Sequence, residues 1–292
     1  RTVLTAYPGE VPILDFSTQP RERDRHGLQI TAFWWHIVGL TVRNAAHNGI
    51  RMDGWYNILE QVTAYGNYDT GIHMAGGASY NLIENCDSFH NFDAPVGGNA
   101  DGFSAKFDIG PGNRYVGDRA WENSDDGWDF ISQEVPVIVQ NSWAYGHGYI
   151  DSGTGTAGNG NGFKIGSSKT GIRHVVQNCV SWGNRASGFY ANHSSGGNDW
   201  FNNTAYDNGT QFNMLASTWD AAGNRTDGVI LMGALAHVMR NNIGCYGYEG
   251  TTTRTYRHLS WASGSVTVEM DVRFNYLPGT PPLQYTNRNQ GR

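Results

Sequence analysis

The sequence of 292 residues has few charged residues, few cysteines and no apolar run of membrane length. Charged residues make up 16% of the chain and the net charge is −6, so the basic stripe that binds nucleic acid is missing. Because no long apolar run is present, we expect no membrane insertion. The negative charge would also repel a polyanionic sugar unless local groups offset it.

No signal peptide is visible, and Arg1 already lies inside what reads as a coil of the repeat described below. We therefore expect a targeting segment to have been removed. The three cysteines, Cys86, Cys179 and Cys245, are an odd number, and the first two follow an asparagine at equivalent repeat positions. We interpret them as small inward-facing core residues rather than as disulfide partners or metal ligands.

Glycine and aromatic residues are abundant, with 39 glycines and 13% aromatics. They supply many turns and enough apolar mass for a stacked core. The chain also repeats itself: each copy ends in a Gly or Asn turn, which is followed by a glycine and a large apolar residue. These pairs are Gly49-Ile50, Gly71-Ile72, Gly102-Phe103, Gly127-Trp128, Gly162-Phe163 and Gly188-Phe189.

A period in the twenties with short strand-like runs is typical of a solenoid. Runs such as Trp128-Asp129-Phe130 and Phe163-Lys164-Ile165 alternate inward and outward, which is the period of a strand. Neither the leucine ladder of a leucine-rich repeat nor the longer period of a propeller is present. The sequence therefore predicts an all-β, single-domain parallel β-helix, with equivalent positions of adjacent coils about 4.8 Å apart.

We assign residues 1–292 to one domain, because the repeat runs without a linker. The repeat is clear from about residue 28 to about residue 246, and residues 247–292 are expected to form an irregular C-terminal cap or tail. The two longest intervals between repeat glycines precede Gly102 and Gly162. The loops in those intervals, residues 93–100 and 148–160, are expected to wall a groove.

Stacking turns repeat positions into surface columns. The outward residues after the repeat glycines are Arg51, His73, Ser104, Asp129, Lys164, Tyr190 and Asn213. The residues before the same glycines are Asn48, Thr70, Asp101, Asp126, Asn161 and Ser187. We therefore expect Asp101, Asp125, Asp126 and Asp129 to face one small volume, with Lys164 in the next coil.

Four carboxylates that share a small volume repel one another and have raised pKa values unless a cation neutralises them. A ligand set of several carboxylates favours calcium over zinc, and magnesium more often keeps most of its waters. The alternative is that the Asp-Gly pairs only make turns. Asp129 argues against this alternative, because it lies on a predicted strand where no turn requires it.

Lys164 is one of only three lysines, with Lys106 and Lys169. One interpretation is a general base whose pKa is lowered by a neighbouring cation and by partial burial. The other is a structural ion pair with Asp129. A calcium ion and a lysine base suit removal of the proton α to a uronate carboxylate, followed by β-elimination of the glycosidic oxygen.

Three segments carry a resemblance to a known family: residues 99–106, 123–129 and 159–166, which read NADGFSAK, NSDDGWD and NGNGFKIG. Here the chain resembles polysaccharide lyase family nine, pectate lyases with a right-handed parallel β-helix. The resemblance implies Asp101, Asp125, Asp126 and Asp129 as calcium ligands and Lys164 as the base. It also implies a pectin-type plant cell-wall polysaccharide as partner, either homogalacturonan or rhamnogalacturonan I.

That function leads us to expect a monomer that is secreted, periplasmic or on the cell surface. Arg185 and Tyr190 are candidate substrate contacts, against an exposed turn arginine and an ordinary surface tyrosine, and His73 is a weaker one. Two rival functions stay open. A glycoside hydrolase would use two of the aspartates as acid and base, and a non-catalytic carbohydrate-binding or structural β-helix would need no base.

Overall fold

The computed structural model of the chain describes residues 1–149, 155–166, 171–229, 231–245, 256–262 and 266–271. Short strands stack into three long parallel sheets, as predicted for an all-β parallel β-helix. The one helical element in these ranges is the 3-10 turn Gly233–Leu235. Over the same ranges, no helix has the length and hydrophobicity needed to cross a membrane.

In the described residues, each of the first eight coils contributes one strand to each sheet, in register with its neighbours, and the ninth contributes to the first two sheets. The first sheet consists of Thr2–Thr5, Trp35–Val38, Ile58–Glu60, Leu82–Glu84, Arg114–Val116, Ile138–Gln140, Val175–Gln177, Asp199–Phe201 and Val238–Arg240. The parallel part of the second sheet consists of Ile13–Asp15, Thr41–Arg43, Thr63–Tyr65, Asp87–Phe89, Arg119–Trp121, Trp143–Tyr145, Val180–Trp182, Thr204–Tyr206 and Asn242–Cys245. The third sheet consists of Leu28–Ile30, Ile50–Met52, Ile72–Met74, Phe103–Ala105, Trp128–Asp129, Phe163–Lys164, Ser187–Tyr190 and Thr210–Asn213.

The two ends of the chain differ from the repeat. Thr2–Thr5 and Ile13–Asp15 start the first two sheets, as expected for a chain that begins inside a coil, and their side chains are exposed. An antiparallel hairpin, Ala216–Trp219 with Arg225–Val229, interrupts the coils. Most of the expected cap at 247–292 lies outside the described residues; Tyr256–Ala262 and Val266–Asp271 continue the second sheet in antiparallel pairing.

The core is a stack of the large apolar residues that follow the repeat glycines. Ring centroids of Phe103 and Trp128 lie 4.8 Å apart, and those of Trp128 and Phe163 lie 4.5 Å apart. The glycines are required by close approach of the coils, since a Cβ on Gly127 would lie 2.4 Å from the carbonyl oxygen of Gly162. The repeated glycines therefore reflect the close packing of adjacent coils.

Buried asparagines join the coils at the turns. The Asn91 side-chain oxygen accepts the backbone N–H of Asn67 at 3.0 Å, and Asn123 accepts that of Asn91 at 3.1 Å. These bonds satisfy backbone groups that would otherwise be buried without partners. Cys86 and Cys179 are buried free thiols, as predicted.

The outward column of the third sheet is confirmed. Ser104 pairs with Asp129, Asp129 with Lys164, and Lys164 with Tyr190. The side chains of Asp129 and Lys164 therefore leave the same face of the sheet from adjacent coils.

Candidate functional site

Three carboxylates converge on the outer face of the third sheet. Asp129 is on a strand, and Asp101 and Asp126 each precede a strand. These two strands belong to adjacent coils, which are joined by a hydrogen bond from Gly102 N–H to Asp126 O at 2.9 Å. One oxygen from each of the three carboxylates lies within 4.8 Å of the others. All three residues are buried.

Two ammonium groups enter this cluster. Lys164 Nζ lies 3.0 Å from Asp126 Oδ2 and 3.1 Å from Asp129 Oδ2. Lys106 Nζ lies 2.6 Å from Asp101 Oδ2 and 3.0 Å from Asp129 Oδ2. Asp129 Oδ2 therefore sits between two positive charges, and the ion pair between Lys164 and Asp129 that the sequence left open is present.

Lys106 received no role from the sequence. It follows the strand Phe103–Ala105 by one residue, so the strand alternation that identified Lys164 gives no direction for its side chain. The signal that was available is its position at the end of the segment NADGFSAK.

The second oxygen of each carboxylate is held by the backbone or by an amide. Asp126 Oδ1 accepts from Asn161 N–H at 2.7 Å and from Asn161 Nδ2 at 2.8 Å. Asp129 Oδ1 accepts from Ile131 N–H at 3.0 Å, and Asp101 Oδ1 accepts from Asp126 N–H at 3.2 Å. With the Oδ1 atoms anchored, the three Oδ2 atoms face the two ammoniums.

Asp125 is placed differently from the other three. Its carboxylate is outside the three-oxygen group, and Oδ1 accepts from Asn159 N–H at 2.5 Å. Burial and the neighbouring Asp126 raise the pKa of Asp125 to about 7. The structure therefore brings three of the four predicted ligands together and sets Asp125 at the edge, beneath the loop that carries Asn159.

The charged groups of the cluster shift one another's pKa values. Burial raises the pKa of Asp101 and of Asp126. Burial also acts to raise the pKa of Asp129, but Lys106 and Lys164 outweigh it and the net shift is downward. For Lys164, burial acts to lower the pKa, and Asp126 and Asp129 outweigh it, so the pKa is raised. The lowered pKa expected for Lys164 is thus not met by the protein groups alone; it would need the charge of a cation.

The three candidate substrate contacts have protein partners. Arg185 Nη2 donates to the carbonyl oxygens of the loop residues 157–159, so this guanidinium clamps the loop. Tyr190 is half-buried beside Lys164, and its ring meets that of His193 edge-on at 5.7 Å. His73 lies three strands from Lys164, with Nδ1 2.6 Å from Ser104 Oγ, and burial lowers its pKa to about 3.

The two loops expected beside the groove contact each other. Gly158 N–H donates to Val96 O at 3.1 Å, and Asp93 Oδ1 accepts the N–H groups of Asn99 and Ala100 at 3.1 Å each. Residues 150–154 of the second loop lie outside the described residues. The remaining part lies over Asp125 through its bond with Asn159.

Comparisons with known proteins agree on the fold. Residues 1–241 match the sequence model of a family described as Pel9A-like, right handed beta helix region. Pectate lyase L of Dickeya chrysanthemi is 33% identical over 263 residues, which are 89% of this chain and 59% of that protein. The match confirms the right-handed parallel β-helix.

Two solved structures are also similar. The crystal structure of pectate lyase Pel9A superposes with a TM-score of 0.67 at 36% identity, covering 73% of this chain and 54% of that one. A rhamnogalacturonan lyase superposes with a TM-score of 0.74 at 27% identity, covering 85% of this chain and 65% of that one. The chain spans less than two thirds of the length of each of these proteins.

Proposed function

Because the chain belongs to the Pel9A-like family of right-handed β-helices, we propose that it is a calcium-dependent polysaccharide lyase that cleaves galacturonate-containing pectin by β-elimination. The observation that carries the proposal is the convergence of three buried carboxylates and two lysines on the outer face of the third sheet. The names of the relatives, pectate lyase L and pectate lyase Pel9A, support the same activity and substrate.

The residues fit a divalent cation. The Oδ2 atoms of Asp101, Asp126 and Asp129 each contact at least one of the two ammoniums, and one oxygen from each carboxylate lies within 4.8 Å of the others. Four ionised carboxylates and two ammoniums leave a formal charge of −2, which one divalent cation neutralises. Oxygen ligands of this kind favour calcium, with Asp101, Asp126 and Asp129 holding it and Asp125 completing the charge.

Lys164 is the proposed base. It removes the proton on C5 of the uronate, the electron pair of that bond forms the C4–C5 double bond, and the bond from C4 to the glycosidic oxygen breaks. The leaving oxygen takes a proton from water. A cation held by the carboxylates would contribute positive charge against the negative charge that develops on the uronate carboxyl. General-base catalysis by Lys164 accounts for about 100-fold to 10,000-fold of the rate.

A second substrate has a specific observation in its favour. Of the two solved structures, the rhamnogalacturonan lyase covers the larger share of this chain, 85% against 73%, which supports the alternating rhamnose and galacturonate backbone as the alternative polymer for the same chemistry. Both backbones offer a galacturonate to Lys164. As these polymers lie in plant cell walls, we place the protein outside the cytoplasm, acting as a monomer.

The test follows unsaturated uronide by ultraviolet absorbance, with polygalacturonate or rhamnogalacturonan I, in calcium and in chelator. We expect a calcium-dependent rise with at least one polymer, and its loss in Lys164→Ala. A rise that persists undiminished in that variant rejects the base. Cleavage in chelator to saturated products would instead identify a glycoside hydrolase, and binding without turnover would identify a non-catalytic β-helix.

A further inference from the structure

Lys106 is the one charged side chain of the cluster that the elimination chemistry leaves without a task. Its side chain is 13% exposed, and its ammonium contacts Asp101 Oδ2 at 2.6 Å and Asp129 Oδ2 at 3.0 Å. Its contacts are thus with the same Oδ2 atoms that would hold the cation. It shares Asp129 Oδ2 with Lys164, whereas Asp101 pairs with Lys106 and Asp126 pairs with Lys164.

The formal charge of the loaded site depends on Lys106. When Lys164 is the free amine that acts as base, four ionised carboxylates, the Lys106 ammonium and one divalent cation give the site a formal charge of −1, and without Lys106 that charge is −2. A uronate brings its own negative charge, so the site repels it less when Lys106 is present. The whole chain, at −6, adds to that repulsion.

Lys106 acts on the cation in the opposite sense. An ammonium that touches two ligand oxygens repels a divalent cation bound to them, so it weakens cation binding while it strengthens binding of an anionic sugar. A residue that only oriented Asp101 and Asp129 would strengthen cation binding instead. The direction in which calcium affinity changes when Lys106 is removed therefore distinguishes the two roles.

Building on the proposed function, we propose that Lys106 is a charge-balancing residue. It limits the affinity of the carboxylate cluster for calcium and makes the loaded site one charge less negative, so that a uronate of the polymer can enter.

The test compares Lys106→Met with Lys106→Arg. Calcium affinity is measured by calorimetry, and KM for polygalacturonate at low and at physiological ionic strength. Removing a unit charge next to the cation is expected to tighten calcium binding in Lys106→Met by about tenfold or more. KM is expected to rise about fivefold at roughly 0.01 M salt, and less at about 0.15 M, because salt screens the interaction. Lys106→Arg keeps the charge and should stay near the wild type in both measurements.

Two controls accompany these variants. Arg114→Met removes one positive charge from an exposed position of the first sheet and should change neither quantity. Lys106→Gln repeats the charge removal with a polar side chain and should agree with Lys106→Met. Thermal unfolding in calcium shows that each variant is folded.

Tighter calcium binding together with a higher KM supports the proposal. Weaker calcium binding in both Lys106→Met and Lys106→Gln overturns it and makes Lys106 a ligand-orienting residue. Unchanged values overturn it as well. If the wild-type protein neither binds calcium nor cleaves either polymer, the proposed function and this role are both rejected. If the wild type is active but calcium affinity or KM changes in the opposite direction in the Lys106 variants, only the role of Lys106 is rejected.

Discussion

Asp129→Asn removes the carboxylate that lies between both ammoniums. In the wild type, Asp129 Oδ2 accepts from Lys106 at 3.0 Å and from Lys164 at 3.1 Å. The amide keeps the shape of the side chain, and each lysine keeps one carboxylate, Asp101 at 2.6 Å and Asp126 at 3.0 Å. The fold should therefore tolerate the change.

For the free energy of unfolding, the loss of two hydrogen bonds and the relief of repulsion between carboxylates nearly cancel. For calcium affinity they do not. Two charge-assisted hydrogen bonds are worth about 1.5–3 kcal/mol each. Against this, like charges within 4.8 Å of one another repel by roughly 3 kcal/mol or more per pair at an effective dielectric constant of about 20. Stability in chelator should consequently change by less than about 2 kcal/mol. Calcium affinity follows the number of charged ligands, and we expect it to fall at least ~100-fold, which is about 2.7 kcal/mol.

Calorimetric calcium titration and denaturant unfolding in chelator measure the two quantities. Asp199→Asn is the matched control, because it breaks an ion pair, with Arg173 at 2.6 Å, on the first sheet. It should leave calcium affinity unchanged. A calcium affinity of Asp129→Asn within threefold of the wild type, or an equal loss in the control, would refute the assignment of Asp129 as a ligand.

Two further predictions concern the fold. Burial lowers the pKa of His174 to about 4, so its contribution to stability is complete above about pH 6.5 and is lost as the pH falls from about 6.5 to about 4. Urea unfolding of His174→Asn should therefore show an acid loss smaller than that of the wild type by up to about 3 kcal/mol, and identical acid losses would contradict this. Gly127→Ala should lower the free energy of unfolding by about 1–3 kcal/mol, because its Cβ would meet Gly162 O at 2.4 Å. Gly98→Ala, with open space around the added Cβ, should have little effect, and equal losses in the two variants would rule out the clash.

The repeat of glycine and a large apolar residue predicted the fold without knowledge of any contact. Glycine is needed wherever coils approach closely, and the following residue must enter the core, as Gly127 and Trp128 do. Because both requirements recur from coil to coil, a glycine followed by a large apolar residue recurs periodically in the sequence. The strand alternation then placed Asp129 and Lys164 side by side, which the strand register confirms.

Residues in turns escaped this reasoning. Lys106, one residue beyond its strand, joins the cluster, Asp125 stands at its edge, and Arg185 holds a loop. Alternation determines which way a side chain points only while the backbone is extended; in a turn, the direction depends on local dihedral angles and on what neighbouring coils present.

The sequence by itself therefore determined the coil, its columns and the stacking of Asp101 on Asp126 and of Asp129 on Lys164, since these follow from a period. Only the tertiary structure decided which charges touch, that Lys164 is paired with carboxylates, and that a second lysine shares Asp129. Electrostatic pairing depends on distances of a few ångströms between side chains from different coils, and no spacing along the chain encodes them.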